Sequence, residues 1–242
     1  MRIYKTADYE SMSRKAASIL AAQIVSKPDS VLGLATGSTP EGAYRYLAEW
    51  YSKGLLDFSQ IRTVNLDEYK GLGPDHPQGY RYFMNQHLFR LVNIRLENTF
   101  VPNGLEPDSR KACEEFETVL AELGGVDLQL LGMGHNGHIG FNEPGSVFPV
   151  GCHCADLDPR TLQANGKYFE DPKKMPRQAY SMGVGTIMHA RKILLAVSGA
   201  EKAESLAKAL TGPVTPELPA SILQFHPDVT VVADEAALSR LP

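Results

Sequence analysis

The chain has 242 residues, 43% hydrophobic and 21% charged, with 24 basic against 28 acidic residues and a formal net charge of −4. That apolar share excludes a disordered chain, and a chain of this length buries roughly 70–75% of the surface its unfolded form exposes. No basic excess is present to neutralise a nucleic-acid backbone, and no 18-residue apolar run is present to span a bilayer.

The opening MRIYKTADYESM lacks the apolar core of a signal peptide. Cys113, Cys152 and Cys154 are odd in number, form no CxxC pair, and read as inert thiols of a reducing compartment. The expectation is a cytoplasmic protein of one domain, residues 1–242, with no nucleic-acid or membrane partner.

Strand-like and helix-like segments alternate along the chain. SVLGLAT (30–36) is an apolar run closed by Gly37, and PEGAYRYLAEW (40–50) has helical spacing. IRTVNLD (61–67) precedes a polar loop and a helix-like GYRYFMNQHLFRLV (79–92). TFVP (99–102) precedes a helix-like PDSRKACEEFETVLAEL (107–123). VDLQLLGMG (126–134), KILLAVSG (192–199) and VTVVAD (229–234) are near-continuous apolar runs, the pattern of strands buried on both faces. The fold class is therefore α/β, a doubly wound, mainly parallel sheet with helices on both faces. Residues 144–180, rich in Gly and Pro and poor in periodicity, read as a lid or excursion.

Ligands of such sheets bind beyond the carboxyl ends of the strands, so the turns that follow the apolar runs carry the functional information. In the first, Gly37, Ser38 and Thr39 precede Pro40, which suits the first helical position. Ser38 or Thr39 can cap the helix, and the turn reads equally as a plain cap or a phosphate cradle. It matches neither the Walker pattern nor GxGxxG. In the second, a strand runs into Asp67 and Glu68, whose side chains should point to opposite sides, only one of them toward a pocket. The third, Gly132 to Pro144, sets four glycines around His135, His138 and Glu143. A histidine with a glutamate five residues on suits an acid–base group and its orienting carboxylate better than a metal site. In the fourth, Lys202 stands in the first turn of a helix, against the dipole, where it either pairs with a bound anion or leans into solvent.

Together the stretches GLATGSTPEGAY, VNLDEYKGL, GMGHNGHIGFNEPG, YSMGVGT, SGAEKA and ILQFHPDVTVVAD resemble the glucosamine-6-phosphate deaminase family, in family order from about residue 30 to residue 234. The resemblance implies conversion of glucosamine 6-phosphate to fructose 6-phosphate and ammonia, without cofactor or metal. It implies that Asp67 moves the proton between C2 and C1, that His138 opens the sugar ring, and that Glu143 works with it. Gly37, Ser38, Thr39, Lys167 and Lys202 fall at phosphate-binding positions, Lys167 where longer members carry arginine. Lysine supplies charge there without the bidentate fork.

Two departures stand out. Asn136 occupies a position where many members have aspartate; it can orient an imidazole but cannot stabilise its cation by charge, so the pH profile should differ while activity is kept. At positions where hexameric members bind an activator with basic residues, this chain has His153 and Ala155. The expectation is simple saturation kinetics from a monomer or small homo-oligomer. The nearest rival is a 6-phosphogluconolactonase, which resembles the fold and the GxGxxGH loop but lacks the FNEP glutamate. A sugar-phosphate sensor on the same scaffold would need a DNA-binding domain ahead of the phosphate loop, for which Gly33 leaves no room.

Overall fold

The computed structural model describes residues 1–241. In chain order the first half contains β1 (Arg2–Thr6), α1 (Tyr9–Ser26), β2 (Val31–Leu34), α2 (Ser38–Ser52), β3 (Arg62–Asn65), β4 (Asp67–Tyr69), α3 (Tyr80–Met84), β5 (Thr99–Phe100) and α4 (Ser109–Glu122). The second half contains β6 (Leu128–Leu131), β7 (His153–Asp156), α5 (Pro159–Gly166), β8 (Gln178–Ser181), α6 (Val184–Met188), β9 (Ile193–Val197), α7 (Ala203–Thr211) and β10 (Val229–Asp234).

Seven strands form one all-parallel sheet in the order β1-β10-β9-β6-β2-β3-β5. Alternate residues of its strands feed two cores, as the near-continuous apolar runs require. Leu32, Leu34, Leu128, Leu130, Leu194 and Val232 pack with α1 and α2 on one face. Val31, Val64, Leu131, Leu195 and Val231 pack with α4 and α7 on the other. The chain runs outward from β2 to β3 and β5, then returns to place β6 on the opposite side of β2. That reversal opens a crevice at the carboxyl ends of β2 and β6, where a doubly wound sheet takes its ligand.

Three features differ from the reading of the sequence. A second sheet, antiparallel and ordered β4-β8-β7, stands beside the first. It takes both ends of its β7–β8 pair from within or just beyond residues 144–180, so that stretch is a structured arm carrying α5, with its own core of Tyr69, Phe141, Leu157, Met175 and Ala179. The helix α2 begins at Ser38, with Gly37 as its cap residue at φ +100°, so neither Ser38 nor Thr39 is the cap and Pro40 is the third helical residue. Proline costs nothing there, because the first turn's N–H groups have no intrahelical acceptor. The helix read over 79–92 is α3 continued by a π turn over Asn85–Phe89.

Only Leu66 separates β3 from β4, and its N–H donates to Leu34 O in the large sheet (3.1 Å) while its carbonyl accepts from Met182 N beside the small one (2.7 Å). Asp67 therefore begins at the joint between the two sheets.

Candidate active site

All four turns singled out in the sequence meet around one cavity of about 580 Å3 at the crevice. Gly37, Ser38, Thr39, Asp67, Asn136, His138, Lys167 and Lys202 all line it; Glu143 stands behind His138. A wider opening adjoins it and shares Ser38, Thr39, Lys167 and Lys202.

One end of the cavity gathers groups suited to an anion. The first N–H groups of α2, at Ser38 and Thr39, have no acceptor inside the helix, and the positive end of the helix dipole lies there. Tyr9 braces this turn, donating to Ser38 O (2.6 Å) and accepting from Gly42 N (2.9 Å). Lys202 closes a 3₁₀ turn, Ala200–Lys202, ahead of α7, and its Nζ donates to Met133 O at 2.9 Å. Burial pulls its pKa down to about 8, against the opposing charge of Glu201. Lys167, by contrast, is exposed at the end of α5, its ammonium 5.0 Å from the centre of the Tyr168 ring.

The carboxyl groups of Asp67 and Glu68 divide as alternation requires. Glu68 turns away from the cavity and accepts from the backbone N–H of Tyr69 (2.8 Å), Tyr80 (2.9 Å) and Arg81 (2.9 Å), which ties β4 to the start of α3. Asp67 faces the cavity, buried, and its carboxyl meets no hydrogen-bond donor among the described residues. Burial, with the charge of Glu68 added, pushes its pKa up to about 8. Burial also lifts Glu68, to about 7, against its three backbone donors and Arg81.

The glycine-rich turn after β6 folds back through Gly134 N to His138 O (2.9 Å) and is anchored by Asn142, whose Nδ2 donates to Ile139 O (2.7 Å) and Met182 O (2.9 Å). His138 lies flat against Gly134: a Cβ there would stand 2.3–2.5 Å from ring atoms, so only glycine leaves room for the imidazole. His138 Nδ1 meets Glu143 Oε2 at 3.0 Å, and the same oxygen accepts from Asn136 Nδ2 at 2.8 Å. The other oxygen, Oε1, accepts from Thr161 Oγ1 at 2.7 Å. Burial works to raise Glu143, but His138, Asn136 and Thr161 together bring it down to about 2. An ionised Glu143 can only accept, so His138 Nδ1–H donates to it and Nε2 is left as the ring's second nitrogen.

Asn136 thus holds Glu143 and the backbone N–H of His138 (Oδ1, 3.2 Å) rather than the imidazole that the sequence suggested it would orient. Thr161, Asn165 and the aromatic wall of Tyr80 and Phe141, stacked with centroids 6.1 Å apart, were not singled out in the sequence. Thr161 and Asn165 lie in the stretch without periodicity, where spacing offered no signal. Among the described residues, no three His, Cys, Asp or Glu side chains are arranged to hold a metal, and no helix is long and apolar enough to cross a membrane.

The chain is similar throughout its length to known proteins. The family model for glucosamine-6-phosphate isomerases/6-phosphogluconolactonase matches residues 5–232. A Lachnoclostridium phytofermentans protein named glucosamine-6-phosphate deaminase is 53% identical over 232 residues, covering 96% of this chain and 98% of its own. A Geobacillus protein of the same name is 52% identical over 242 residues, covering 100% and 96%. A solved structure described as a monomeric glucosamine-6-phosphate deaminase superposes with a TM-score of 0.96 at 44% identity, over 99% of this chain and 100% of that one. The 6-phosphogluconolactonase of Trypanosoma brucei superposes with a TM-score of 0.79 at 19% identity, over 100% and 98%, a likeness of fold alone.

Proposed function

The chain belongs to the family of glucosamine-6-phosphate isomerases and 6-phosphogluconolactonases, and from that premise we propose that it is a glucosamine-6-phosphate deaminase, converting glucosamine 6-phosphate and water to fructose 6-phosphate and ammonia. The observation that carries this reading over lactone hydrolysis is the pairing of a desolvated Asp67 with the His138–Glu143 couple across one cavity. A lactonase has no proton to move at C2 and no use for such a base.

The substrate phosphate binds at the N-terminus of α2, on the N–H groups of Ser38 and Thr39, with the Lys202 and Lys167 ammonium groups beside it. Binding there, remote from the chemistry, holds C1 and C2 against Asp67. His138 Nε2 takes the proton from O1 and delivers it to O5, which breaks the C1–O5 bond and frees the aldehyde. Glu143 fixes the ring and stabilises the cation formed in passing.

The Asp67 carboxylate then removes the C2 proton. The electron pair moves to C1=C2 and the carbonyl oxygen takes a proton from the substrate's own ammonium group, giving an enolamine. Returning the Asp67 proton to C1 on the same face leaves an iminium at C2; water adds to it, and the carbinolamine expels ammonia and a proton to leave the ketone. A carboxylate in bulk water is a weak base for this step; raised to about 8 by burial, Asp67 is a stronger one. The α5 arm over the cavity acts as the lid that shields the enolamine from water. The protein works as a monomer with simple saturation kinetics, in line with the solved relative described as monomeric.

The test is ammonia release from glucosamine 6-phosphate, with fructose 6-phosphate followed in parallel, for wild type and Asp67→Asn. Stoichiometric ammonia and ketose from wild type, both lost in the variant, is the expected result. Absence of ammonia with hydrolysis of the phosphogluconolactone instead would overturn the reading.

A further inference from the structure

The arm over the cavity makes two side-chain hydrogen bonds that reach the two reaction centres separately. Within α5, Thr161 and Asn165 are four residues apart and so share one face of the helix. Thr161 Oγ1 donates to Glu143 Oε1 at 2.7 Å, and Asn165 Nδ2 donates to the Tyr69 hydroxyl at 3.0 Å. Glu143 belongs with His138, and Tyr69 stands two residues from Asp67 on the same short strand, on the same side of it. Phe169, just past the helix, packs edge-on against the Tyr69 ring with centroids 5.9 Å apart.

The chemistry of Glu143 makes the first bond consequential. Its Oε2 is held by His138 and Asn136 from the glycine-rich turn, and Thr161 is the partner of Oε1. A terminal carboxylate torsion is broad, so a carboxylate held through one oxygen swings. The imidazole it orients swings with it. The Thr161 hydroxyl is carried by α5 and not by the turn, so the carboxylate is fixed from both sides only while α5 lies over the cavity.

We propose that Thr161 and Asn165 are positioning residues through which α5, in its closed position, sets both catalytic groups. Thr161 acts through Glu143 on the ring-opening imidazole. Asn165 acts through Tyr69 on the strand that carries Asp67. Ring opening and proton transfer then both wait for the same helix, so the aldehyde is released only inside a closed cavity with the C2 base already in register. This inference rests on the deaminase reading and names what that reading leaves open: how closure reaches the reacting groups.

The two links predict opposite kinetic signatures. The experiment measures kcat, KM and the isotope effect on kcat/KM, with glucosamine 6-phosphate carrying protium or deuterium at C2, for wild type, Thr161→Val, Thr161→Ser and Asn165→Leu. Thermal unfolding of each variant confirms that it is folded. Thr161→Val slows ring opening, so kcat/KM falls roughly 10- to 100-fold and the isotope effect shrinks toward unity. Asn165→Leu slows proton transfer, so its isotope effect exceeds that of Thr161→Val. Thr161→Ser keeps the hydroxyl and stays within a few-fold of wild type. If Thr161→Val is within two-fold of wild type, if Thr161→Ser is as impaired as Thr161→Val, or if the two loss variants show equal isotope effects, the inference is overturned. A wild type that releases no ammonia overturns the deaminase reading itself, an outcome separate from all of these.

Discussion

Asp67 and Glu68 are consecutive on β4, both buried, and in opposite circumstances: three backbone N–H groups surround the Glu68 carboxylate, and among the described residues none reaches that of Asp67. The first ties strand to helix. The second is left without such a donor, at a cost to folding that depends on pH.

That cost is the first prediction. The folded pKa of Asp67 is about 8 against 3.8 for an unperturbed carboxyl. Below pH 4 the group is protonated in both states and costs nothing. Between 4 and 8 the unfolded chain ionises while the native one resists, so native stability falls with rising pH and levels off above 8. Asp67→Asn removes this burden, a gain on the order of several kcal/mol at pH 8.5. Its melting temperature should rise above that of wild type at pH 8.5 and match it at pH 4, while activity is lost. Equal shifts at the two pH values, by thermal unfolding, would refute the argument.

Lys202 carries the second prediction. Half-buried and lowered to about 8, it keeps the ammonium form, which a phosphate would need, only below that pH. Asp67 needs to lose its proton, so kcat/KM should rise through about 8 with Asp67 and fall through about 8 with Lys202, a narrow bell. Lys202→Gln deletes one charged hydrogen bond to the phosphate, which raises KM roughly 10- to 100-fold with a smaller change in kcat. The descending limb should vanish with it. A variant that keeps both the KM and the descending limb would show that another group holds the phosphate.

How much of this was legible in the chain is clearest at particular residues. The parallel sheet followed from the unbroken apolar runs of β2, β6, β9 and β10, because strands buried on both faces leave no alternation to misread. The turns at Ser38, Asp67, His138 and Lys202 could be marked as neighbours because strand ends converge in that fold. The small sheet was not legible: β4 has three residues and β7 four, too short to carry a period, and they pair through contacts far apart in sequence. For the same reason Thr161 and Asn165 gave no sign. A threonine and an asparagine four apart on an eight-residue helix become informative only once Glu143 and Tyr69 stand opposite them.

A third prediction concerns the floor under His138. Any side chain at position 134 would occupy the space of the imidazole, since even a Cβ would stand 2.3–2.5 Å from its ring atoms. Gly134→Ala therefore displaces the ring from Glu143 without touching the anion end of the cavity. The expected result is a fall in kcat of about 100-fold with inorganic phosphate bound as in wild type, read by turnover and by calorimetry. Retention of kcat within two-fold would mean that the ring has room elsewhere.

The last prediction turns on Asn136. Its Nδ2 donates to Glu143 Oε2 at 2.8 Å, and its Oδ1 accepts from the backbone N–H of His138 at 3.2 Å. In Asn136→Asp the second bond survives, but the first becomes a contact between two carboxylates. Two such groups at hydrogen-bond distance cannot both stay ionised without cost, so they share a proton and the pair's upper pKa rises well above the value of about 2 that Glu143 now has. A new titration then enters the acid limb of kcat/KM below the rise that Asp67 sets at about 8, and steepens the fall in rate at acid pH. Activity at the optimum falls by less than about ten-fold, because a carboxylate still faces His138 Nδ1. The pair also destabilises the fold increasingly as pH rises from about 4 through its raised pKa, since the unfolded carboxyls ionise freely there. Rate profiles of the two enzymes across the acid limb decide the matter; curves that superimpose would show that Asn136 does not govern the charge on the couple.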